Sequence, residues 1–570
     1  MKSKNYTFFI FPIIILVLYI YQFLKIDVNL DSIFDEGFIF LKQQTTGINS
    51  VDKGSLFPII INKLLGIHIT SNLLYLRYTR NVFHLLSVIL FSVTSGWYLY
   101  KKGILDTLEK RVLYPFIIFL LGYISLGGIV ISYNTLQEFF LIIIIGSFLV
   151  ATVTTIRKSF FLFVLIGFIS FFSIMTILPS GLLVLSCILV LTGIKCYKEW
   201  KIGLIYYLGL FIGFLISAFV FNFFILDLRI VYAAIVDTAQ SITTLNRGYD
   251  PLSFILRIFL YLRDFYMAIC FMSGILLISL VIQKYTKRWI AILVFLFSMV
   301  VLSVYQKKPE IVLTSFLAFT MLVLMGLILK ETPQINWKKV FSFKVLVLCF
   351  LFFLPLISSI GTNVYLGVKM CSFILPWGVL LMELMNNETI KEKYSRDIRL
   401  LFWFFCIFIV FQPLQSIATD IKNYDNEKFY FDKEKPISKI QITKEQKNYF
   451  ENVYTIMKGY QYQNNNVIFS TQMDHMTIVA LEGKPCGLFF QPMDFLAFYD
   501  KKSLKKPDFL FLNEFDLKLM YDSLKSLDWN FPDDYDQYFV GTPETMITGY
   551  STTRTLYCLK SKKIKINGAI

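Results

Sequence analysis

The chain has 570 residues, of which 56% are hydrophobic and 17% aromatic, with only 16% charged and a mean hydropathy of +0.62. A soluble domain sits nearer about 45–50% apolar and about 25% charged, so a soluble protein is excluded; 28 Gly, 16 Pro and 8 Cys in so long a chain exclude disordered, collagenous and disulfide-stapled classes. A formal charge of +16 would suit a nucleic-acid binder, unless the excess reflects membrane topology.

A membrane helix needs about 20 mostly apolar residues. The first such run, 7–25, has no small-x-small cleavage site before the charged segment at Asp27, and reads as an uncleaved anchor. A long external loop, 26–80, follows it. Further runs lie at 81–100, 112–132, 135–156, 159–175, 180–194 and 203–224, then at 266–282, 289–305, 311–329, 344–360, 366–385 and 400–418. This makes about thirteen spans. Leu178-Pro179-Ser180-Gly181 reads as a tight external turn. The external stretch 225–265 mixes Asp227, Arg229, Asp237, Arg247, Asp250, Arg257, Arg263 and Asp264 with apolar residues, and its second half has the helical spacing of an interfacial segment. From 419 a polar tail begins. Strand-like runs at 466–470, 508–512 and 555–559 alternate there with helical stretches near 444–458 and 514–527, the pattern of a small α/β domain.

Lys and Arg in the short loops set the orientation. With the N-terminus cytoplasmic, the inside loops hold Lys2 and Lys4; Lys101, Lys102, Lys110 and Arg111; Arg157 and Lys158; and Lys195, Lys198 and Lys201. Lys284, Lys287 and Arg288, then Lys330, Lys338, Lys339 and Lys344, then Lys391, Lys393, Arg396 and Arg399 continue the series. The opposing turns 133–134, 176–179 and 361–365 carry none, and 306–310, with Lys307 and Lys308, is the exception. An odd number of spans leaves 419–570 outside. That tail holds 20 basic and 20 acidic residues, so the whole excess of +16 lies in 1–418. Most of it sits in the inside loops. The charge is a topology signal, not a nucleic-acid footprint.

Six cysteines, Cys187, Cys196, Cys270, Cys349, Cys371 and Cys406, lie in or beside apolar runs and read as small buried hydrophobes. Cys486 and Cys558 share the tail, where one disulfide or two free thiols both fit. Three histidines are scattered. His84, on an apolar helix, reads as a satisfied packing residue, and Asp474-His475 as surface. His68 has no second histidine close in sequence. There is no HExxH, Walker loop, GxSxG or GxGxxG.

The strongest chemical pattern is in the first loop. Directly after the anchor it reads Asp31-Ser32-Ile33-Phe34-Asp35-Glu36-Gly37-Phe38. Adjacent carboxylates just outside a membrane helix need solvent, a cation or a metal, and a solvated helix cap satisfies the same residues. Further on come Gly54-Ser55-Leu56-Phe57-Pro58-Ile59-Ile60-Ile61-Asn62-Lys63-Leu64-Leu65-Gly66 and Leu76-Arg77-Tyr78-Thr79-Arg80-Asn81.

This order resembles the GT-C superfamily of membrane glycosyltransferases, the group of protein O-mannosyltransferases and aminoarabinose transferases. An acidic motif after the first span, a Pro-containing helix ending near a Gly, and an Arg opening the second span carry the resemblance. It covers residues 1–140 in detail and the rest as architecture. It implies a polytopic α-helical membrane protein: a catalytic domain over 1–418 and an extracytoplasmic α/β domain over 419–570. It also implies transfer of a hexosyl or pentosyl group from a polyprenyl-phosphate donor to an extracytoplasmic glycan, lipid or protein acceptor, in the plasma (inner) membrane. Asp35, with Glu36 beside it, matches the family's catalytic base or metal-holding acid, and Asp35 would carry a divalent metal if one is bound. Arg80 matches the Arg that meets the donor phosphate, and Lys53, Arg257 and Lys369 are further cations on that side. One departure stands out. The short loop after the third span reads Ile131-Ser132-Tyr133-Asn134-Thr135, so Asn134 stands where family members often carry a second acid. Asn binds hydroxyls but is no base. Tyr133, Asn134 and Glu138, one turn on, are the expected substrate-binding residues there. A lipid-linked-sugar transporter would instead place ionisable residues mid-span and show two related halves. A non-catalytic envelope scaffold that binds glycan through its external domain is the third class.

Overall fold

The computed structural model describes residues 7–24, 73–125, 133–197, 199–232, eight positions within 252–263, 309–331, 342–360, 370–371, 373–387, 429–430, 441–442, 444–464, 466–470, 475–486, 504–541 and 554–564. Ten helices of the membrane body fall within them: α1 (Thr7–Leu24), α2 (Leu73–Lys101), α3 (Leu108–Ser125), α4 (Tyr133–Val153), α5 (Ile156–Thr176), α6 (Leu178–Cys196), α7 (Trp200–Phe224), α8 (Pro309–Glu331), α9 (Phe343–Ser358) and α10 (Leu375–Met385). Each coincides with an expected span. The expected spans 266–282, 289–305 and 400–418 lie outside the described residues. Five of the described helices (α2, α4, α5, α6 and α7) are long and apolar enough to cross a bilayer. Such runs become helical because hydrocarbon offers no partner for free backbone N–H and C=O groups. This is a multi-pass membrane protein.

Local chemistry explains the joints. Ile177 alone separates α5 from α6; its extended backbone ends one helix while its N–H still bonds the Ser173 carbonyl. Pro179 then sits in the first turn of α6, where no N–H donor is needed. Gly181 is required by close approach, because a Cβ there would lie 2.8 Å from the Ile174 backbone nitrogen. The predicted turn is therefore real and lies at Ile177, two residues before Pro179 of its signal. Helices α5 and α7 pack closely through Gly167, Gly209 and Gly213, a small-xxx-small arrangement. Phe163 stacks on Tyr206 beside them, ring centroids 4.7 Å apart.

Helix α2 begins two turns before its expected start, so Arg77 and Arg80 are helical residues and not loop residues. The cause is Leu73, Leu74 and Leu76, which are buried in an apolar cluster. One face of α2, running through Arg77, Arg80, Asn81, His84, Ser87, Val88, Phe91, Ser95 and Tyr98, is buried. Tyr75, Tyr78, Val82, Leu86, Val93 and Trp97 on its other side are exposed, as lipid-facing residues would be.

The far end of α2 carries a network that the sequence did not announce. Glu383 of α10, with 2% of its side chain accessible, pairs with Lys102 at 2.7 Å and with Lys344 at 3.9 Å. Tyr98 donates to its Oε1 at 3.0 Å, and Lys110 donates to Asn386 at 2.6 Å. Lys102, Lys110 and Lys344 were assigned to one side of the membrane by charge, and the fold gathers them at one end.

The tail holds a two-stranded ribbon, β1 (Phe429–Tyr430) with β2 (Gln441–Ile442), then α11 (Lys444–Lys458), β3 (Val467–Ser470), α12 (His475–Leu481), β4 (Lys484–Pro485), β5 (Phe509–Asn513), α13 (Glu514–Lys525), β6 (Tyr535–Gly541) and β7 (Arg554–Leu559). The five-stranded sheet has the order β4-β3-β5-β7-β6, with β3 parallel to β4 and β5, and β7 antiparallel to β5 and β6. Side chains alternate between its faces. Phe469, Leu510, Leu512 and Tyr557 pack with Met520 and Leu524 of α13. Ile468, Phe509, Phe511, Leu556 and Cys558 face the other way and share one apolar cluster with α11, α12 and the ends of the body helices at Leu73–Leu76, Leu136, Phe172 and Phe221. The tail therefore packs on the end of the bundle opposite Glu383.

One expectation for the tail is corrected, and one open choice is decided. His475 is fully buried at the start of α12, not at the surface, because α12 packs against β3 in the apolar cluster. Desolvation holds its imidazole well below the ordinary value, at about 3, so it stays neutral. Asp474 lies outside the described residues. Cys486 and Cys558 are free thiols. Cys486 follows β4 and Cys558 lies in β7, with β3 and β5 between them. Three strand spacings of about 4.8 Å put them well beyond disulfide reach.

Candidate active site at the tail-facing end of the bundle

The end of the body that faces the tail holds buried ionisable groups from three helices, with polar partners from a fourth. Arg80 and His84 lie one turn apart on the buried face of α2. Glu138 faces them from the second turn of α4, and all three are at most 4% exposed. Glu138 Oε2 is 3.5 Å from His84 Nδ1, and Ser125, the last residue of α3, lies 3.3 Å from Glu138 Oε1. His84 Nε2 lies 2.8 Å from the Gly122 carbonyl oxygen, to which Ser125 also donates at 2.9 Å. The Arg80 guanidinium donates to Asn81 at 2.8 Å and feels the charge of Glu138. Tyr19 of α1 lies within electrostatic range of both Arg80 and Glu138, and its hydroxyl donates to the Phe119 carbonyl at 3.1 Å.

Asn134, the second residue of the same helix, lies one turn before Glu138. Its side chain is partly exposed, but its Oδ1 is buried with no hydrogen-bond partner among the described residues. Gln137, between them, is committed elsewhere: it donates to Ser180 at 2.9 Å and accepts from Ser173 at 3.2 Å, tying α4 to α5 and α6. Tyr133 begins α4, and its side chain lies outside the described residues. Of the sequence-predicted site residues, then, Arg80 and Glu138 are brought together and Asn134 stands beside them. Asp35, Glu36, Lys53, Arg257 and Lys369 lie outside the described residues. In sequence, the segment 25–72 that carries Asp35, Glu36 and Lys53 lies between α1 and α2.

His84 is the member that sequence reasoning missed. It is satisfied, as expected of a helix histidine, but by a carboxyl and a carbonyl rather than by packing. Its one sequence signal is its place one turn after Arg80 on the same face. Chemically, the site offers a buried guanidinium suited to phosphate oxygens and a free amide oxygen suited to a hydroxyl. It also offers an acid–imidazole pair. Among the described residues no three His, Cys, Asp or Glu side chains are placed to hold a metal ion.

Comparison with solved structures adds one likeness. The chain is similar in structure to an archaeal oligosaccharyltransferase. That protein is AglB from Archaeoglobus fulgidus, solved in complex with an inhibitory peptide and a dolichol-phosphate. The match covers 100% of this chain and 76% of AglB, at 12% identity and a TM-score of 0.44. No protein-family model matches the chain, and no curated protein matches it. The functional reading therefore rests on the residues themselves.

Proposed function

We propose that the protein is an integral membrane glycosyltransferase of the GT-C kind, moving a sugar from a polyprenyl-phosphate donor to an extracytoplasmic acceptor with inversion. One observation supports it above the others: Arg80, the residue the resemblance assigns to the donor phosphate, is buried beside Glu138 at the end of the bundle on which the tail packs. The planar guanidinium presents N–H donors in a fork that matches phosphate oxygens.

In this reading the acceptor hydroxyl or amine loses its proton to Asp35 as its lone pair attacks the anomeric carbon. The bond from that carbon to the phosphate oxygen breaks on the opposite face, and the electron pair leaves with the polyprenyl phosphate. Arg80 stabilises that charge as it develops. A single displacement with one base and no covalent intermediate inverts the centre. Asn134 and Tyr133 contact sugar hydroxyls. Lys53, Arg257 and Lys369 supply further positive charge. A divalent ion, where one is used, would rest on Asp35, and no step above requires it. The tail, packed over the same end, positions the acceptor.

The test is genetic and chemical together. A deletion strain is expected to lose one sugar from its cell-envelope glycans by mass spectrometry, restored by the wild-type chain and not by Asp35→Asn. Glycans unchanged by the deletion would end the transferase reading. A chain truncated near residue 425 that kept full acceptor specificity would remove the tail's role.

A further inference from the structure

The end of the bundle opposite the tail carries two kinds of cation. Lys102 and Lys110 are neutralised within the fold: Lys102 pairs with Glu383 at 2.7 Å, and Lys110 with Asp106 at 2.8 Å. Lys101 and Arg111, next to them in sequence, are exposed and meet no carboxylate among the described residues. Each lies over an aromatic ring instead. Lys101 Nζ stands 4.9 Å from the Trp97 ring centroid, and Arg111 Cζ stands 5.0 Å from that of Tyr100. The two rings are 6.3 Å apart, centroid to centroid. Arg111 Nε donates to the Leu105 carbonyl at 3.1 Å, which fixes the guanidinium across the turn from α2 to α3. Its two Nη groups have no hydrogen-bond partner among the described residues.

Trp97 and Tyr100 are each 47% exposed, and they end the lipid-facing stripe of α2 that runs through Val82, Leu86 and Val93. Aromatic rings at the end of such a stripe sit where hydrocarbon gives way to headgroups. Lys and Arg at that depth commonly snorkel, with long stems extended and mobile. Here both are folded back onto rings, so less rotamer freedom is lost when an anion arrives. A ring face attracts a cation but leaves its charge in place. We propose that Trp97, Tyr100, Lys101 and Arg111 form a binding site for an anionic phospholipid headgroup. Arg111 and Lys101 meet the phosphate, and the rings lie against the glycerol and the upper acyl chains. Continuity of Trp97 with the lipid-facing stripe favours a lipid over a soluble phosphate. The site is at the opposite end of α2 from Arg80 and does not depend on the donor reading.

Native mass spectrometry of the full-length protein tests it, by counting lipids retained after adding dioleoylphosphatidylglycerol or dioleoylphosphatidylcholine in detergent. Wild type should retain phosphatidylglycerol well ahead of phosphatidylcholine. A cation at the membrane surface is worth roughly fivefold toward an anionic lipid, so K101Q/R111Q should lose roughly twentyfold or more. R157Q/K158Q is the control. It removes the same charge from exposed side chains at the same end of the bundle, at the joint of α4 and α5, and should keep most of the affinity.

Equal loss in the two double variants would mean a diffuse positive surface and would overturn the site. So would no loss in K101Q/R111Q, or equal retention of both lipids by wild type. Displacement of the bound lipid by glycerol 3-phosphate would assign the cations to a soluble phosphate and overturn the lipid. The substituted side chains are exposed, so thermal melts of both variants should match wild type. If K101Q/R111Q melts low, the single variants K101Q and R111Q carry the test, each expected to lose roughly fivefold; no loss in either overturns the proposal.

Discussion

Replacing Gly213 by Ala adds one methyl group at the tightest seam of the body. A Cβ at Gly213 would overlap the Val164 carbonyl oxygen and lie 2.8 Å from the Phe168 backbone nitrogen. Both are backbone atoms of α5, so no rotamer change relieves the clash. The phenylalanine nitrogen alone must retreat by about 0.6 Å to reach ordinary contact, and overpacking of this kind costs about 1–3 kcal/mol. Gly209 on the preceding turn resists a compensating slide, since its own Cβ would stand 3.0 Å from the Phe160 carbonyl oxygen. Gly326 on α8 is the control: no described atom lies within 4 Å of its added Cβ. There, Ala should leave stability unchanged or raise it by about 0.5–1 kcal/mol through helix propensity. Thermal unfolding of the purified protein in detergent, followed by thiol-reactive dye, is expected to show G213A melting below wild type and G326A at or above it. A G213A protein as stable as wild type would refute the α5–α7 seam, and with it the platform on which Phe171, Phe172 and Phe221 meet the tail.

Four further outcomes follow from the same contacts. Arg80→Lys keeps a charge but loses the planar fork, and should weaken polyprenyl-phosphate binding about tenfold or more, read by titration in nanodiscs; unchanged binding would remove Arg80 from the site. Glu383→Ala should destabilise the body by about 1–3 kcal/mol, less than for a fully buried pair because Lys102 is 26% exposed, and E383L/K102M should recover part of it in thermal melts. Cys486 and Cys558 should both alkylate after denaturation without reductant, and a disulfide-linked peptide in the mass spectrum would contradict the strand order. Asp508 is raised by burial but more strongly lowered by hydrogen bonds from Lys562, Asn466 and the Val467 N–H, for a net pKa below 3.8. Its stabilisation is therefore present above pH 3.8 and lost as pH falls through the lowered value. Hydrogen exchange at the β3 and β5 amides should quicken below that pH, and Asp508→Asn should remove the acid response; an identical response in both proteins would refute the assignment.

The sequence made the linear features legible. Apolar length located ten described helices, and the Pro-Ser-Gly signal placed the α5–α6 break to within two residues. In the tail, helix 444–458 and strands at 467–470, 509–513 and 554–559 emerged close to their predicted bounds. What escaped depends on pairing across the chain. His84 meets Gly122 and Glu138, and Glu383 meets Lys102 and Lys344, across separations no local pattern encodes. Strand β6 was missed because Tyr535-Asp536-Gln537-Tyr538 is polar, and Asp536 is held by hydrogen bonds from Tyr460 and Lys563 rather than by apolar burial. His475 looked like surface because it follows an aspartate, yet packing against β3 decided its burial. The start of α2 was misjudged because Arg77 and Arg80 interrupt the apolar run, although both side chains are buried and Arg80 belongs to the candidate site.

The most direct measurement is turnover by the purified full-length protein in nanodiscs, supplied with candidate polyprenyl-phosphate-linked sugars and a cell-envelope acceptor extract. Release of polyprenyl phosphate with transfer of the sugar is expected from the wild type. Asp35→Asn should abolish transfer while donor binding persists, and Arg80→Lys should weaken both. Transfer by Asp35→Asn at the wild-type rate, or a wild type that binds and turns over no lipid-linked sugar, would contradict the account.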